Sequence, residues 1–221
     1  MIIYDISMTI HENMQVYKNK PEKKPQFTVT RDFADSPARE SRLSLDMHTG
    51  THLDMPLHFV PDGDTIESLD LTRVVTACRV LDLSHIDQAI HAEDIKTFDI
   101  KSEETILLKT RNSLIETFDP EFVYLAEDAA SLLIDLGINC VGIDGLGIER
   151  AQADYSTHKS LLGAGIIILE GLRLKDIEQG HYLLFAAPLK VAGAEAAPIR
   201  ALLIERDEPV SDEEESPLIS V

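Results

Sequence analysis

The chain has no tryptophan, two cysteines, and about half as many basic as acidic side chains. Each shortage excludes something. With 20 Lys and Arg against 39 Asp and Glu, the formal net charge is −19. A surface of that sign repels phosphate backbones, and no Lys/Arg stripe offsets it, so nucleic acid is not expected as a partner. No apolar run approaches the roughly 20 residues that span a bilayer, so no membrane association is expected either. The start, MIIYDISMTI, lacks the basic segment and cleavage site of a secretory signal, which predicts a cytoplasmic protein. Cys78 and Cys140 lie in the apolar segments TACRVLDL and INCVGID and read as buried free thiols rather than a disulfide. The acidity itself says little about chemistry. Much of it is solvated surface, and part sits in RDEPVSDEEESPLISV, read as an acidic C-terminal tail over 206–221.

What is present suffices for one well-buried core over 1–205, with hydrophobic content of 44%. Short, often alternating stretches predict strands over 2–7, 27–33, 42–48, 77–84, 105–110, 139–144, 166–170, 181–189 and 200–205. The clearest helix is 124–137, where Leu125, Ala129, Leu132, Leu133 and Leu136 recur at helical spacing before Gly137. A shorter one is read over 158–165. Strands outnumber helices, so the expected class is α/β (α+β), a single domain with a mainly β core flanked by helices.

Three of the eight histidines fall in MHTGTHLDMPLHF (47–59), with an aspartate among them. Gly50 lets the chain turn sharply, so that His48 and His52 can point at one place. Asp54 stands two residues past His52, on the same face of an extended chain. Two imidazoles and a carboxylate suit Zn²⁺ or Mn²⁺ and leave coordination positions for water. His58 can face the same space without ligating. A lone histidine is more often a packed residue, but three beside an aspartate around a glycine turn point to a metal or catalytic site. A second segment, HKSLLGAGIIILE, places His158 near a helix start and Glu170 at a strand end. Together with Asp54 as a bridge, these two would supply ligands for a second metal.

HTGTHLDMPLHF, THKSLLGAGIIILEGL and VGIDGLGIE together resemble the cyclase family of metal-dependent hydrolases, which includes bacterial kynurenine formamidases and isatin hydrolases. The resemblance runs from YDIS to AAPIRALLIE. It implies a central barrel-like sheet, a homodimer or higher homo-oligomer, and one or two Zn²⁺ or Mn²⁺ ions per subunit. It implies His48, His52 and Asp54 as ligands of one metal, Asp54, His158 and Glu170 as ligands of a second, and His58 as the catalytic histidine.

The residue types support that chemistry independently. A bound metal lowers the pKa of water from ~15.7 towards ~7. The hydroxide attacks a carbonyl carbon, and an unligated histidine carries the proton to the leaving nitrogen. The expected activity is hydrolysis of a small-molecule amide or formamide, with N-formylkynurenine to kynurenine and formate as the named reaction. The alternatives are a ring-opening cyclic-amide (isatin-type) hydrolase, a cyclase or dehydratase, and a metal-binding protein without catalysis. Tyr17, Phe27 and Phe59 are candidate aromatic walls for a substrate, and Lys18 and Lys20 are either carboxylate attractors or exposed lysines. Asp144 either orients a ligand histidine or caps a loop. Arg200 matches a family arginine near the site, though a structural ion pair is the expected role. His11, His85, His91 and His181 are assigned to surface or core.

Overall fold

TILLK (105–109) and CVGI (140–143) have no polar alternation, the mark of strands covered on both faces. In the structure, a computed structural model that describes residues 1–150 and 152–205, they are neighbouring parallel strands at the centre of the sheet. The acidic tail over 206–221 lies outside the described residues. In chain order the strands are β1 (Ile2–Asp5), β2 (Gln26–Arg31), β3 (Glu40–Ser44), β4 (His52–Asp54), β5 (Val75–Asp82), β6 (Ala89–Ile90), β7 (Thr105–Lys109), β8 (Tyr124–Leu125), β9 (Cys140–Ile143), β10 (Ile167–Glu170), β11 (Gly180–Phe185), β12 (Ala196–Pro198) and β13 (Leu202–Glu205). The helices are α1 (Ala92–Ile95), α2 (Glu127–Leu136) and α3 (Ser156–Gly163). No helix among the described residues is long and apolar enough to cross a membrane.

Nine strands form one sheet in the order β1-β13-β11-β5-β7-β9-β10-β4-β12, curled into a half-barrel. Its middle, β5-β7-β9-β10, is parallel, and the flanking pairs are antiparallel. The expected mainly β domain is therefore observed. Alternation along each strand feeds two apolar layers. Leu53, Leu107, Ile167, Leu169 and Leu184 pack on one face. Ile106, Leu108, Val141, Ile143 and Ile168 pack on the other, under Ala129 and Leu133 of α2 and Leu161 and Leu162 of α3. Cys78 and Cys140 are buried and free.

Several boundaries differ from expectation. The helix read over 124–137 starts at Glu127, because Tyr124 and Leu125 pair with Ala89 and Ile90. It ends where expected, at Gly137 with φ 68, a left-handed stop that glycine adopts at little cost. The strand expected over 42–48 stops at Ser44, freeing 45–51 to turn. β4 and β12 are three residues each, too short to carry a periodic signal.

Gly142 on β9 shows how close this packing is. A Cβ there would lie 2.6 Å from Leu107 Cδ2 and 2.8 Å from Leu172 Cδ1. Gly142→Ala is expected to cost about 1–3 kcal/mol by overpacking. A denaturant midpoint unchanged from wild type would show that the sheet yields there.

Candidate metal centre

The centre is built by register. In the antiparallel pair β4–β10, Glu170 stands opposite His52 and Ile168 opposite Asp54. Alternate residues share a face, so His52, Asp54 and Glu170 all project on the side of Ile168, the side that α3 covers. β12 flanks Asp54 with the small Ala196, which leaves room there. From above, α3 supplies His158 in its first turn.

His48 arrives from the 45–51 turn. Gly50 sits at φ 65, where a Cβ would press on Met14 Cε at 2.9 Å, so glycine serves both conformation and space. Thr51 Oγ1 donates to the Gly171 carbonyl at 2.6 Å and accepts from the Met8 N–H at 2.7 Å, locking this turn to the end of β10. His58 closes the short 3₁₀ turn Pro56–His58, started by a proline at a position that needs no N–H.

All of these side chains converge on Asp54, which is wholly buried. His48 Nδ1 lies 2.9 Å from Asp54 Oδ1, His52 Nε2 3.5 Å from the same oxygen, and His158 Nε2 3.9 Å from Oδ2. Glu170 Oε2 is 3.3 Å from His52 Nε2, and its Oε1 is 3.1 Å from His158 Nε2. Two sets bring their donor atoms within 4.8 Å of one another: His52, Asp54 and Glu170, and His48, Asp54 and His58. Asp54 is common to both. His58 thus sits nearer the ligand set than an unligated histidine needs to. Its ring packs on His48 at 4.1 Å between centroids, on Phe59 at 4.3 Å and on His158 at 5.8 Å.

Charge balance bears on what the cluster can hold. Burial disfavours a charged His52 ring, but Asp54 and Glu170 outweigh it and lift its pKa to about 9. His158 is pulled down by burial and lifted further by Glu149 and Glu170, to about 10. Glu170, despite burial, is held well below the usual carboxylate range by His158 and His52. Burial and its histidine neighbours take His58 down to about 4, Asp54 opposing, so this ring is neutral at pH 7. Even so, His52 Nε2 and both Asp54 oxygens are buried without a hydrogen-bond partner. Buried polar atoms are normally satisfied. Carboxylates that draw protons onto neighbouring rings, together with unpartnered donor atoms, fit a divalent cation.

Two residues of this region escaped the sequence reading. Glu149 is buried, and its Oε2 accepts from the N–H groups of Thr157 and His158 at 2.9 and 3.4 Å, capping the start of α3. Its Oε1 lies 3.0 Å from His158 Nδ1, angled away from a straight hydrogen bond, and orients that ring. Glu195 meets the outer nitrogen of His48 at 3.3 Å. The only available signal was that Glu149 closes the apolar run VGIDGLGIE. On the other side of His52, Nδ1 pairs with the Gly50 carbonyl at 2.9 Å, which turns Nε2 to the cluster.

Asp144, the other candidate orienter, is a loop cap. Thr110 and Ser113 each donate an N–H and a hydroxyl to it, at 2.6–3.2 Å, while burial lifts its carboxyl to about 6. Arg200 pairs with Asp5 at 2.6 Å on the surface, away from the centre. His11, His85, His91 and His181 are exposed.

Above the cluster opens a cavity of about 410 Å³. Tyr17, Phe59 and Tyr155 form its aromatic wall. Phe27 does not reach it and lies exposed on β2. Of the lysines considered, Lys18 and Lys20 are exposed and do not line the cavity; Lys23 does.

Known proteins carry the same arrangement of chain. The family model described as "Putative cyclase" matches residues 4–150. Kynurenine formamidase of Salinibacter ruber is 32% identical over 212 residues, covering 95% of this chain and all of the relative. A solved "Potential Metal-Dependent Hydrolase With Cyclase Activity" superposes with a TM-score of 0.87 at 48% identity, covering 94% of this chain and 99% of that one. Isatin hydrolase A of Labrenzia aggregata shares the fold, with a TM-score of 0.80, 23% identity, and 91% and 93% of the two chains covered. A family match across most of the described residues, joined to a relative aligned along its whole length, makes this chain a member of the cyclase family.

Proposed function

We propose that this protein is a metal-dependent hydrolase of a non-peptide C–N bond, acting on a small formamide of the N-formylkynurenine kind. The observation that carries the reading is Asp54: a fully buried carboxylate, neither oxygen in a hydrogen bond, with the rings of His48, His52 and His158 close around it. The names of its formamidase and hydrolase relatives support the same chemistry. His48, His52, Asp54, His158 and Glu170 would hold one or two Zn²⁺ or Mn²⁺ ions. Bound there, a divalent ion supplies Lewis acidity and acidifies water.

The remaining work falls to the chain itself. The Gly50 carbonyl keeps His52 Nε2 turned inward, and Glu149 steadies His158. His58, neutral and packed against His48 and His158, takes a proton from the attacking water and returns it to the departing nitrogen. Tyr17, Phe59 and Tyr155 offer flat apolar surface to an aryl group and keep bulk water from it.

Chelator-stripped protein should hydrolyse N-formylkynurenine negligibly. Added Zn²⁺ or Mn²⁺ should restore a kcat of about 1 s⁻¹ or more, the low end of ordinary enzymes. A fully metal-loaded protein without turnover would remove the formamide from the reading.

We also infer a homo-oligomer. Among the described residues the hairpin β2–β3 belongs to no larger sheet, and Phe27 stands directly opposite Leu43 with Val29 on the same face, all exposed. Lone two-stranded hairpins are marginal in water, and a second copy of the chain would cover that face. The double variant Phe27→Ser/Leu43→Ser should shift the mass seen by light scattering from oligomer to monomer. A monomeric wild type would refute the inference.

A further inference from the structure

Besides its histidines and buried carboxylates, the cavity is lined by a pair of opposite charges that the hydrolytic chemistry does not use. Lys23 ends the 3₁₀ turn Pro21–Lys23, and Asp46 begins the turn that delivers His48. Lys23 Nζ lies 3.1 Å from Asp46 Oδ2, both residues line the cavity, and both side chains are about a third to a half exposed, at 34% and 46%. No other lysine or arginine among the described residues lines it. The cavity lining therefore combines a cation-binding cluster, three aromatic rings, and one ammonium beside one carboxylate.

We propose that Lys23 and Asp46 form the specificity site for an α-amino-acid group on the substrate, Lys23 taking its carboxylate and Asp46 its ammonium. The proposal rests on the formamidase reading and narrows it to amides whose aryl body ends in a zwitterion. The chemistry matches on both sides. A lysine ammonium has three donors and a carboxylate about four lone-pair sites. Their mutual contact occupies one of each, so both can take a ligand without parting. An exposed ion pair is also a weak one, free to adjust as the ligand enters. Four charges of alternating sign then close a ring, whereas a substrate with one charge satisfies half of it and leaves the other half repelled or unused. In a chain of net charge −19, such a local cation lowers the electrostatic cost of admitting a carboxylate-bearing substrate.

The test compares four formamides with metal-loaded wild type, Lys23→Met and Asp46→Asn: N-formylkynurenine, its analogue without the amine, its analogue without the carboxylate, and formanilide. Wild type should prefer N-formylkynurenine over either singly charged analogue by about tenfold or more in kcat/KM, chiefly through KM, as expected for hydrogen bonds to charged groups. Lys23→Met should cut the ratio of N-formylkynurenine to its carboxylate-free analogue about tenfold, and Asp46→Asn the ratio to its amine-free analogue. Equal use of all four by wild type, or a uniform loss across the four in the variants, would overturn the proposal. Calorimetric binding of L-kynurenine separates the two readings if nothing turns over. Binding weakened by Lys23→Met would keep the zwitterion site and discard the reaction; no binding to wild type would discard both.

Discussion

Asp54→Asn is expected to lower kcat/KM for a formamide at least about a thousandfold and to strip the protein of metal. Asp54 is the one residue common to both donor sets, and neither of its oxygens accepts a hydrogen bond. Asparagine keeps the shape but withdraws the charge and half of the acceptor capacity. A metal's charge stabilisation in the transition state amounts to several kcal/mol, and each 1.36 kcal/mol is tenfold in rate, so losing about 4 kcal/mol gives roughly 10³. The measurement pairs kinetics with metal content by mass spectrometry, and near-ultraviolet circular dichroism reports whether the packing survives. Activity within tenfold of wild type, with metal retained, would move the centre elsewhere.

His58→Ala is expected to lower kcat by about 10²–10⁴, the usual weight of a general acid–base group, with metal content unchanged. The ring is neutral at pH 7 and lies against His48 and His158, within reach of whatever the donor sets hold. Its inclusion in a donor set with His48 and Asp54 defines the opposite outcome. If His58→Ala loses metal together with activity, His58 is a ligand, and the proton is carried by another group. Turnover and metal both retained would exclude it from either role.

Much of the centre was legible in one dimension because its residues are close in sequence. His48, His52, Asp54 and His58 span eleven residues around one glycine turn, and a strand of alternating faces explains why two of them point together. His158 and Glu170 were legible as a pair by their resemblance to a family segment. Glu149 was not: an acidic residue after an apolar run looks solvated, and only the tertiary approach of Glu149 to the start of α3 puts it beside His158. Asp144, in the same run, gave the same signal and turned out to cap Thr110 and Ser113. Two carboxylates five residues apart thus took different roles according to what packed beside them.

The sequence by itself determined the kind of chemistry, through the side chains it gathers near Gly50, and the kind of core, through the apolar runs at 105–109 and 140–143. It determined also where α2 stops, because Gly137 alone can take the left-handed turn cheaply. Tertiary structure decided what depends on pairing between distant segments. β4 is too short to announce itself, yet its register against β10 sets His52 opposite Glu170 across 118 positions of chain. The aromatic wall and the Lys23–Asp46 pair likewise exist only where separate turns meet. Periodicity records which face of an element is buried; it carries no information about which other element covers that face, and the site is made of such meetings.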